Sequence, residues 1–160
     1  MSRVQLALNV DDLDAAIAFY SKLFGTEPAK RKPGYANFAI TEPPLKLVLL
    51  ENPGAGGTLN HLGVEVDSSD TVHAEIARLT EAGMFTEEEI GTTCCFATQD
   101  KVWVTGPGGE RWEVYTVVAD SETFGTSPHH GDTTDSGAGV CCGGPADTED
   151  TVAAPTASCC

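Results

Sequence analysis

The sequence predicts an α+β fold in which two βαβββ modules pair into one curled, pseudo-symmetric mixed sheet, followed by a disordered acidic tail. Three observations predict it. A strand, a helix and three short strands are written twice, with a Pro/Gly-rich linker, Asn52 to Gly57, between the copies. Each copy is roughly 55 residues, too few to bury its own sheet, so the two must share a core. From Asp120 onward the chain is mainly Gly, Ser, Thr, Asp, Pro and Ala, with Phe124 its one aromatic. Such a composition cannot offset the entropy of ordering the segment. The expected division is a domain at 1–119, with modules at about 1–52 and 58–119, and a tail at 120–160.

The elements follow in order. Val4 to Val10 alternates apolar and polar residues and reads as the first strand. Asp11/Asp12 can cap the helix after it, whose apolar face is Leu13, Ile17, Tyr20 and Phe24, and Gly25 stops it. Short strands are expected near Pro28–Lys32, Tyr35–Ile40 and Leu45–Glu51, with Pro33-Gly34 as a turn. The second copy opens with Asn60 to Val66. Ser68, Ser69 or Asp70 then caps a helix with Val72, Ile76 and Leu79 inward and Gly83 as its stop. Its strands are expected near Thr86–Ile90, Lys101–Thr105 and Arg111–Val118, with a loop before Lys101 and a turn at Gly106 to Gly109. Glu87-Glu88-Glu89 reads as a solvated charge run.

Charge excludes some functions. The net charge is −15, and no Lys or Arg follows Arg111. Residues 1–119 carry nine Lys/Arg against 17 Asp/Glu, a net −8, and residues 120–160 carry seven Asp/Glu and no Lys or Arg. No basic stripe is available for a phosphate backbone or an anionic membrane surface, so neither nucleic acid nor membrane is an expected partner. The first ten residues lack a signal-peptide pattern and no apolar run is long enough to span a bilayer, so a cytoplasmic protein is expected.

All six cysteines fall in adjacent pairs: Cys94-Cys95, Cys141-Cys142 and Cys159-Cys160. Neighbouring residues sit too close for an unstrained mutual disulfide. They can instead offer two soft sulfur ligands to one thiophilic atom, provided the compartment keeps them reduced. Free cysteine also packs as a small hydrophobe, so burial alone is the competing reading for any one pair. The tail pairs, with His129-His130, are accessory soft-metal ligands at most.

Taken together, QLALNVDDLDAAIAFYSKLFG, KPGYANFAI, LNHLGVEV, GTTCCFATQDKVWV and GPGGERWEVYT resemble the vicinal oxygen chelate superfamily. That superfamily includes glyoxalase I, extradiol dioxygenases and bleomycin-resistance proteins. Within it, the chain looks most like the carbon–arsenic lyases and the related cadmium-induced proteins, the TTCC segment being the most specific mark. The superfamily places a metal cup on the first and last strands of each module. Aligning the two copies sets Gln5 opposite His61 and Val48 opposite Glu113. The resemblance therefore implies a metal held by Gln5, His61 and Glu113, with the fourth position apolar. It is similar to the facial set of non-haem Fe(II) oxygenases, with an amide in place of one imidazole and a correspondingly modest affinity. Glu51 is the rival donor, set aside because it is offset by three residues from Val48.

The implied activity is Fe(II)- and O2-dependent cleavage of the carbon–arsenic bond of trivalent organoarsenicals, yielding arsenite, with Cys94 and Cys95 holding arsenic. Ni(II) or Zn(II) suits the same donors. Candidate walls for the carbon substituent are Tyr35, Phe38, Phe96, Trp103 and Tyr115. A cadmium- or arsenite-binding protein without catalysis is the main alternative. A glyoxalase-like isomerase is disfavoured because no Glu stands at position 48 to act as base. An antibiotic-binding resistance protein has no use for the thiol pair. The expected partner is a small organoarsenical or soft metal ion, and the expected state is a monomer or homodimer, since each chain carries both halves of its cup.

Overall fold

The computed structural model describes residues 2–125. The first module contains β1 (Arg3–Val10), α1 (Leu13–Phe24), β2 (Lys30–Lys32), β3 (Tyr35–Ile40) and β4 (Leu45–Glu51). The second contains β5 (Leu59–Glu65), α2 (Ser69–Glu81), β6 (Glu87–Cys94), β7 (Ala97–Thr105) and β8 (Arg111–Asp120). All eight strands form one mixed sheet in the order β2-β3-β4-β1-β5-β8-β7-β6. The predicted αβ content and doubled order are both present. The tail residues beyond 125, including Cys141, Cys142, Cys159 and Cys160, lie outside the described residues.

The caps are where the sequence puts them. The Asp12 carboxylate accepts from the Ala15 amide, and Gly25 ends α1 at φ 64°, a conformation that costs glycine little. Ser68 caps α2 by accepting from the Thr71 amide. Alternation then sorts the side chains. Leu47 and Leu49 of β4, Phe38 and Ile40 of β3 and Val10 of β1 pack beneath Leu13 and Ile17 of α1. Their neighbours in sequence face the opposite, concave side: Ala7, Tyr35, Val48 and Leu50 cluster there with Phe96. β4 is buried on both faces for this reason. Phe38, an expected cleft wall, belongs to the helix side; the period of two along β3 puts Tyr35 in the cleft and turns Phe38 away.

Strand register displays the internal symmetry. β1 and β4 run parallel with Gln5 beside Lys46 and Ala7 beside Val48. β5 and β8 also run parallel, with Gly63 beside Glu113. The two pairs meet along antiparallel β1 and β5, where Gln5 faces Gly63 and Ala7 faces His61. Ala7 thus corresponds to Gly63, Gln5 to His61 and Val48 to Glu113, the same correspondence the aligned copies give.

Two local expectations change. The segment expected to be a loop before Lys101 is a strand hairpin: β6 runs to Cys94 and β7 begins at Ala97. Only Cys95 and Phe96 turn the chain, with φ of 56° and 61°. Positive φ at both central residues of a two-residue hairpin is the type I′ arrangement, which usually calls for Asn-Gly. The acidic run is not uniformly solvated. Glu89 is 3 % exposed and accepts from the Trp103 indole at 3.1 Å, while Glu87 pairs with Arg111 at 2.7 Å. Alternation in β6 turns Glu89 inward, where a buried carboxylate needs such a donor. No helix among the described residues is long and apolar enough to cross a membrane.

Candidate active site

Three polar side chains converge on the concave face where the modules meet. The Gln5 amide nitrogen lies 3.1 Å from His61 Nε2 and donates to Glu113 Oε1 at 2.6 Å. His61 Nε2 and Glu113 Oε1 are themselves 3.4 Å apart. All three residues are buried. Gly63 makes this approach possible, because a Cβ there would stand 3.1 Å from Glu113 Cγ and 3.2 Å from Gln5 Cβ. Crowding of that kind would push the two side chains apart.

The tautomer of His61 follows from a directed chain of hydrogen bonds. Thr58 Oγ1 donates to the Ala55 carbonyl at 2.7 Å, and a carbonyl can only accept. Thr58 Oγ1 then accepts from Asn9 Nδ2 at 2.9 Å, and Asn9 Oδ1 accepts from Asn60 Nδ2 at 2.9 Å. That leaves Asn60 Oδ1 facing His61 Nδ1 at 2.7 Å. Nδ1 must carry the proton, so Nε2 presents a lone pair to the cup. A register shift between Ala7 and Leu8 gives β5 an extra residue at Asn60, the kind of bulge that re-aims side chains beside a site. Nothing in the sequence pattern announces this relay.

Glu113 is 3 % exposed and Lys101, on β7, is 2 % exposed. Lys101 Nζ donates to Glu113 Oε2 at 3.0 Å. Burial by itself would push the Glu113 carboxyl up, but the Lys101 ammonium holds it well below the usual carboxylate range. Burial works against the Lys101 ammonium as well, and Glu113 with Cys94 and Cys95 more than offsets it, so Lys101 stays protonated. Lys46 has weaker support: burial lowers it below the usual lysine value despite Glu65. Tyr115 donates to Gln5 Oε1, and burial raises its hydroxyl far above the ordinary phenol value.

The donor set fits a small divalent cation. Two acceptor lone pairs, His61 Nε2 and Glu113 Oε1, point at one spot, where the two hydrogens of the Gln5 NH2 satisfy both. Adjacent donors on an octahedral ion at about 2.1 Å stand about 3.0 Å apart, within the 2.6 to 3.4 Å spread of these three atoms. Oxygen is the ligating end of an amide, so a cation requires the Gln5 amide turned end for end, its NH2 then facing the Tyr115 hydroxyl oxygen. Among the described residues no three His, Cys, Asp or Glu side chains form a metal group; here the third donor is an amide. Glu51 plays no part, because its carboxylate accepts from the Leu13 amide at the start of α1, at 3.1 Å.

Cys94 and Cys95 open on the same cavity as Gln5, His61 and Glu113, together with Tyr35, Lys46, Val48, Gln99, Lys101 and Trp103. Their sulfurs are 3.3 Å apart, well beyond a disulfide bond. The turn that presents them is held by contacts from outside the hairpin. The Phe96 carbonyl accepts from the Ser121 amide at 3.0 Å and from Lys30 Nζ at 3.1 Å, and the Phe124 ring packs edge-on to Phe96 at 5.2 Å. Sequence reasoning missed Lys101, Lys46, Gln99 and Asn60. The one available signal was alternation from Glu113's neighbouring strand, which puts Gln99, Lys101 and Trp103 on one face.

Paired βαβββ modules with a polar cup between them define the class of duplicated, single-sheet folds to which this chain belongs. The chain belongs to the Glyoxalase/Bleomycin resistance protein/Dioxygenase superfamily, whose sequence model matches residues 3–114. It is 83% identical over 144 residues to the cadmium-induced protein CadI of Mycobacterium tuberculosis, covering 90% of this chain and 95% of that one. It is 66% identical over 125 residues to a trivalent organoarsenical cleaving enzyme of Thermomonospora curvata, covering 78% of this chain and 83% of that one. The Mn(II)-bound glyoxalase of Novosphingobium aromaticivorans shares the fold, with a TM-score of 0.54 at 23% identity over 80% of this chain and 44% of that one.

Proposed function

We propose that this protein is an Fe(II)- and O2-dependent lyase that cleaves the carbon–arsenic bond of trivalent organoarsenicals, methylarsenite and aromatic arsenicals among them, and so detoxifies them to arsenite. The observation that carries this reading is the thiol pair and the three-donor cup on one cavity. The likeness to an enzyme named for cleaving trivalent organoarsenicals supports it.

Gln5, His61 and Glu113 would hold the metal, and Ni(II) or Zn(II) suits the same donors. When bound, iron supplies the redox chemistry that lets O2 react with the carbon–arsenic bond. The protein's own residues do the rest. Cys94 and Cys95 each displace one hydroxyl from arsenic, which fixes the arsenical and leaves its carbon substituent free to be aimed. Holding the reacting bond in one place can contribute about 7–11 kcal/mol at best. Lys101 keeps Glu113 ionised, and the Asn60 relay keeps the His61 lone pair on the cup. The apolar cluster of Ala7, Tyr35, Val48, Leu50 and Phe96, against which Cys95 packs, is the wall for the carbon group. Reduced thiols suit the cytoplasm, and one chain suffices because both modules contribute to the cup.

The test is oxygen uptake and arsenite release from methylarsenite with Fe(II), in the parent chain, His61→Ala, and Cys94→Ser with Cys95→Ser. Both variants should lose turnover. Full activity in the double cysteine variant would sink the capture step. The second reading, sequestration without catalysis, is favoured by the likeness to a protein named for cadmium induction. Stoichiometric Cd(II) binding with no oxygen uptake on any arsenical would replace the first reading with this one.

A further inference from the structure

Gln99 lies on β7 across the hairpin from the thiols and lines their cavity. It is 6 % exposed. Its amide nitrogen donates to the Cys94 carbonyl at 3.3 Å, which fixes the amide's orientation, because a carbonyl offers no proton to Oε1. Gln99 Oε1 is buried and has no hydrogen-bond partner among the described residues. A buried amide oxygen left in this state is rare in folded proteins, and beside a cavity it calls for a donor that arrives with a ligand.

We propose that Gln99 Oε1 accepts a hydrogen bond from a hydroxyl on arsenic as the arsenical is captured, so that Gln99 favours R–As(OH)2 species in the rate of capture. This rests on the reading of the thiol pair given above. In the first step one cysteine sulfur bonds to arsenic, and its proton leaves with one hydroxyl as water. The product, R–As(OH)(S-Cys), keeps a single hydroxyl, and Gln99 holds it while the second thiol repeats the exchange. Two waters are released, arsenic stays trivalent, and no electrons change hands. Once both hydroxyls are gone Gln99 has nothing to hold. It therefore speeds capture and release alike and leaves the affinity of the doubly bound arsenical nearly unchanged.

The experiment uses the metal-free full chain with Cys141, Cys142, Cys159 and Cys160 changed to Ser, so that only Cys94 and Cys95 report. Phenylarsenite capture is followed by stopped-flow tryptophan fluorescence, Trp103 being in the cavity wall. N-ethylmaleimide, which alkylates thiols and carries no hydroxyl, is the control reagent. Gln99→Met should slow phenylarsenite binding and dissociation about five- to tenfold each, the worth of one hydrogen bond. Alkylation should change less than about twofold. Gln99→Glu, which keeps an acceptor oxygen, should recover part of the capture rate. An unchanged phenylarsenite rate in Gln99→Met overturns the proposal. So does equal slowing of both reagents, which would mean that Gln99 only shapes the turn. No capture by the parent chain overturns both this proposal and the reading of the thiol pair, whereas capture indifferent to Gln99 overturns this proposal alone.

Discussion

Lys101→Met isolates the cost of a single buried charge. Lys101 Nζ is 3.0 Å from Glu113 Oε2, and both side chains are almost wholly buried. At that distance and an effective dielectric of about 20 the attraction is about 5 kcal/mol. Removing one partner of such a pair typically costs about 3–5 kcal/mol, because the other charge stays buried without it. The variant has one escape, which is to bind a proton at Glu113. In the parent chain Glu113 is held below its ordinary value, so above about pH 5 the carboxylate is ionised both folded and unfolded and adds no slope. In the variant the folded site binds a proton that the unfolded chain does not. Stability must then fall as pH rises, by up to about 1.4 kcal/mol per unit. Urea unfolding of the metal-free protein at pH 5, 6 and 7 measures it. A deficit that grows by about 2 kcal/mol or more across that range is expected. A deficit below about 1 kcal/mol that is flat with pH would refute the buried-pair account.

Asn60→Ala removes the acceptor that keeps the proton on His61 Nδ1; affinity for a divalent probe such as Co(II) should fall about 10- to 100-fold in titrations, and ring 15N shifts should report mixed tautomers. Gly63→Ala puts a methyl 3.1 Å from Glu113 Cγ and 3.2 Å from Gln5 Cβ, so Co(II) affinity should drop while thermal unfolding moves by no more than about 1–3 kcal/mol of overpacking. Phe96→Gly relieves a φ of 61°, worth about 1–3 kcal/mol, but it deletes a buried ring that contacts Tyr35 and Phe124, worth about 3–5 kcal/mol. Net destabilisation of about 2 kcal/mol in urea unfolding is the expected result, and a stabilised variant would show that strain dominates the turn.

How much of this was legible depends on which signals are local. Helix caps are local, so Asp12, Gly25 and Ser68 could be read from residue type and position. The cup positions were legible because duplication supplies an internal ruler: Gln5 and His61 occupy equal places in matched strands, and register bears out that equivalence. The hairpin at Cys95-Phe96 was not legible. Turn chemistry says Asn-Gly at these places, and the residues that hold the turn instead, Lys30, Ser121 and Phe124, come from elsewhere in the chain. Glu89 misled for a related reason: three consecutive acids look solvated until alternation assigns the third to the interior beside Trp103. The Lys101–Glu113 pair spans the β7–β8 hairpin and depends on its register, which the sequence does not state, and the relay from Ala55 to His61 passes through Asn9, on a strand of the other module.

The asymmetry between the modules explains why the cleft can be both a cup and a wall. Equivalent places hold His61 and Glu113 in one module but Gln5 and Val48 in the other. A carboxylate at position 48 would add a second negative charge to a cavity whose one close-paired ammonium, Lys101, is already committed to Glu113. Lys46 leans instead toward Glu65, at 3.7 Å. Two carboxylates so placed would repel, and one would have to bind a proton. With Val48 in that place the charge balance closes around Glu113, and the same strand continues as apolar surface through Leu50 toward Tyr35 and Phe96. Cys95 packs against that surface, so an atom held by the thiols has the polar cup on one side and an apolar wall on the other. An arsenical has that same division, with displaceable hydroxyls on arsenic and a carbon group beside them.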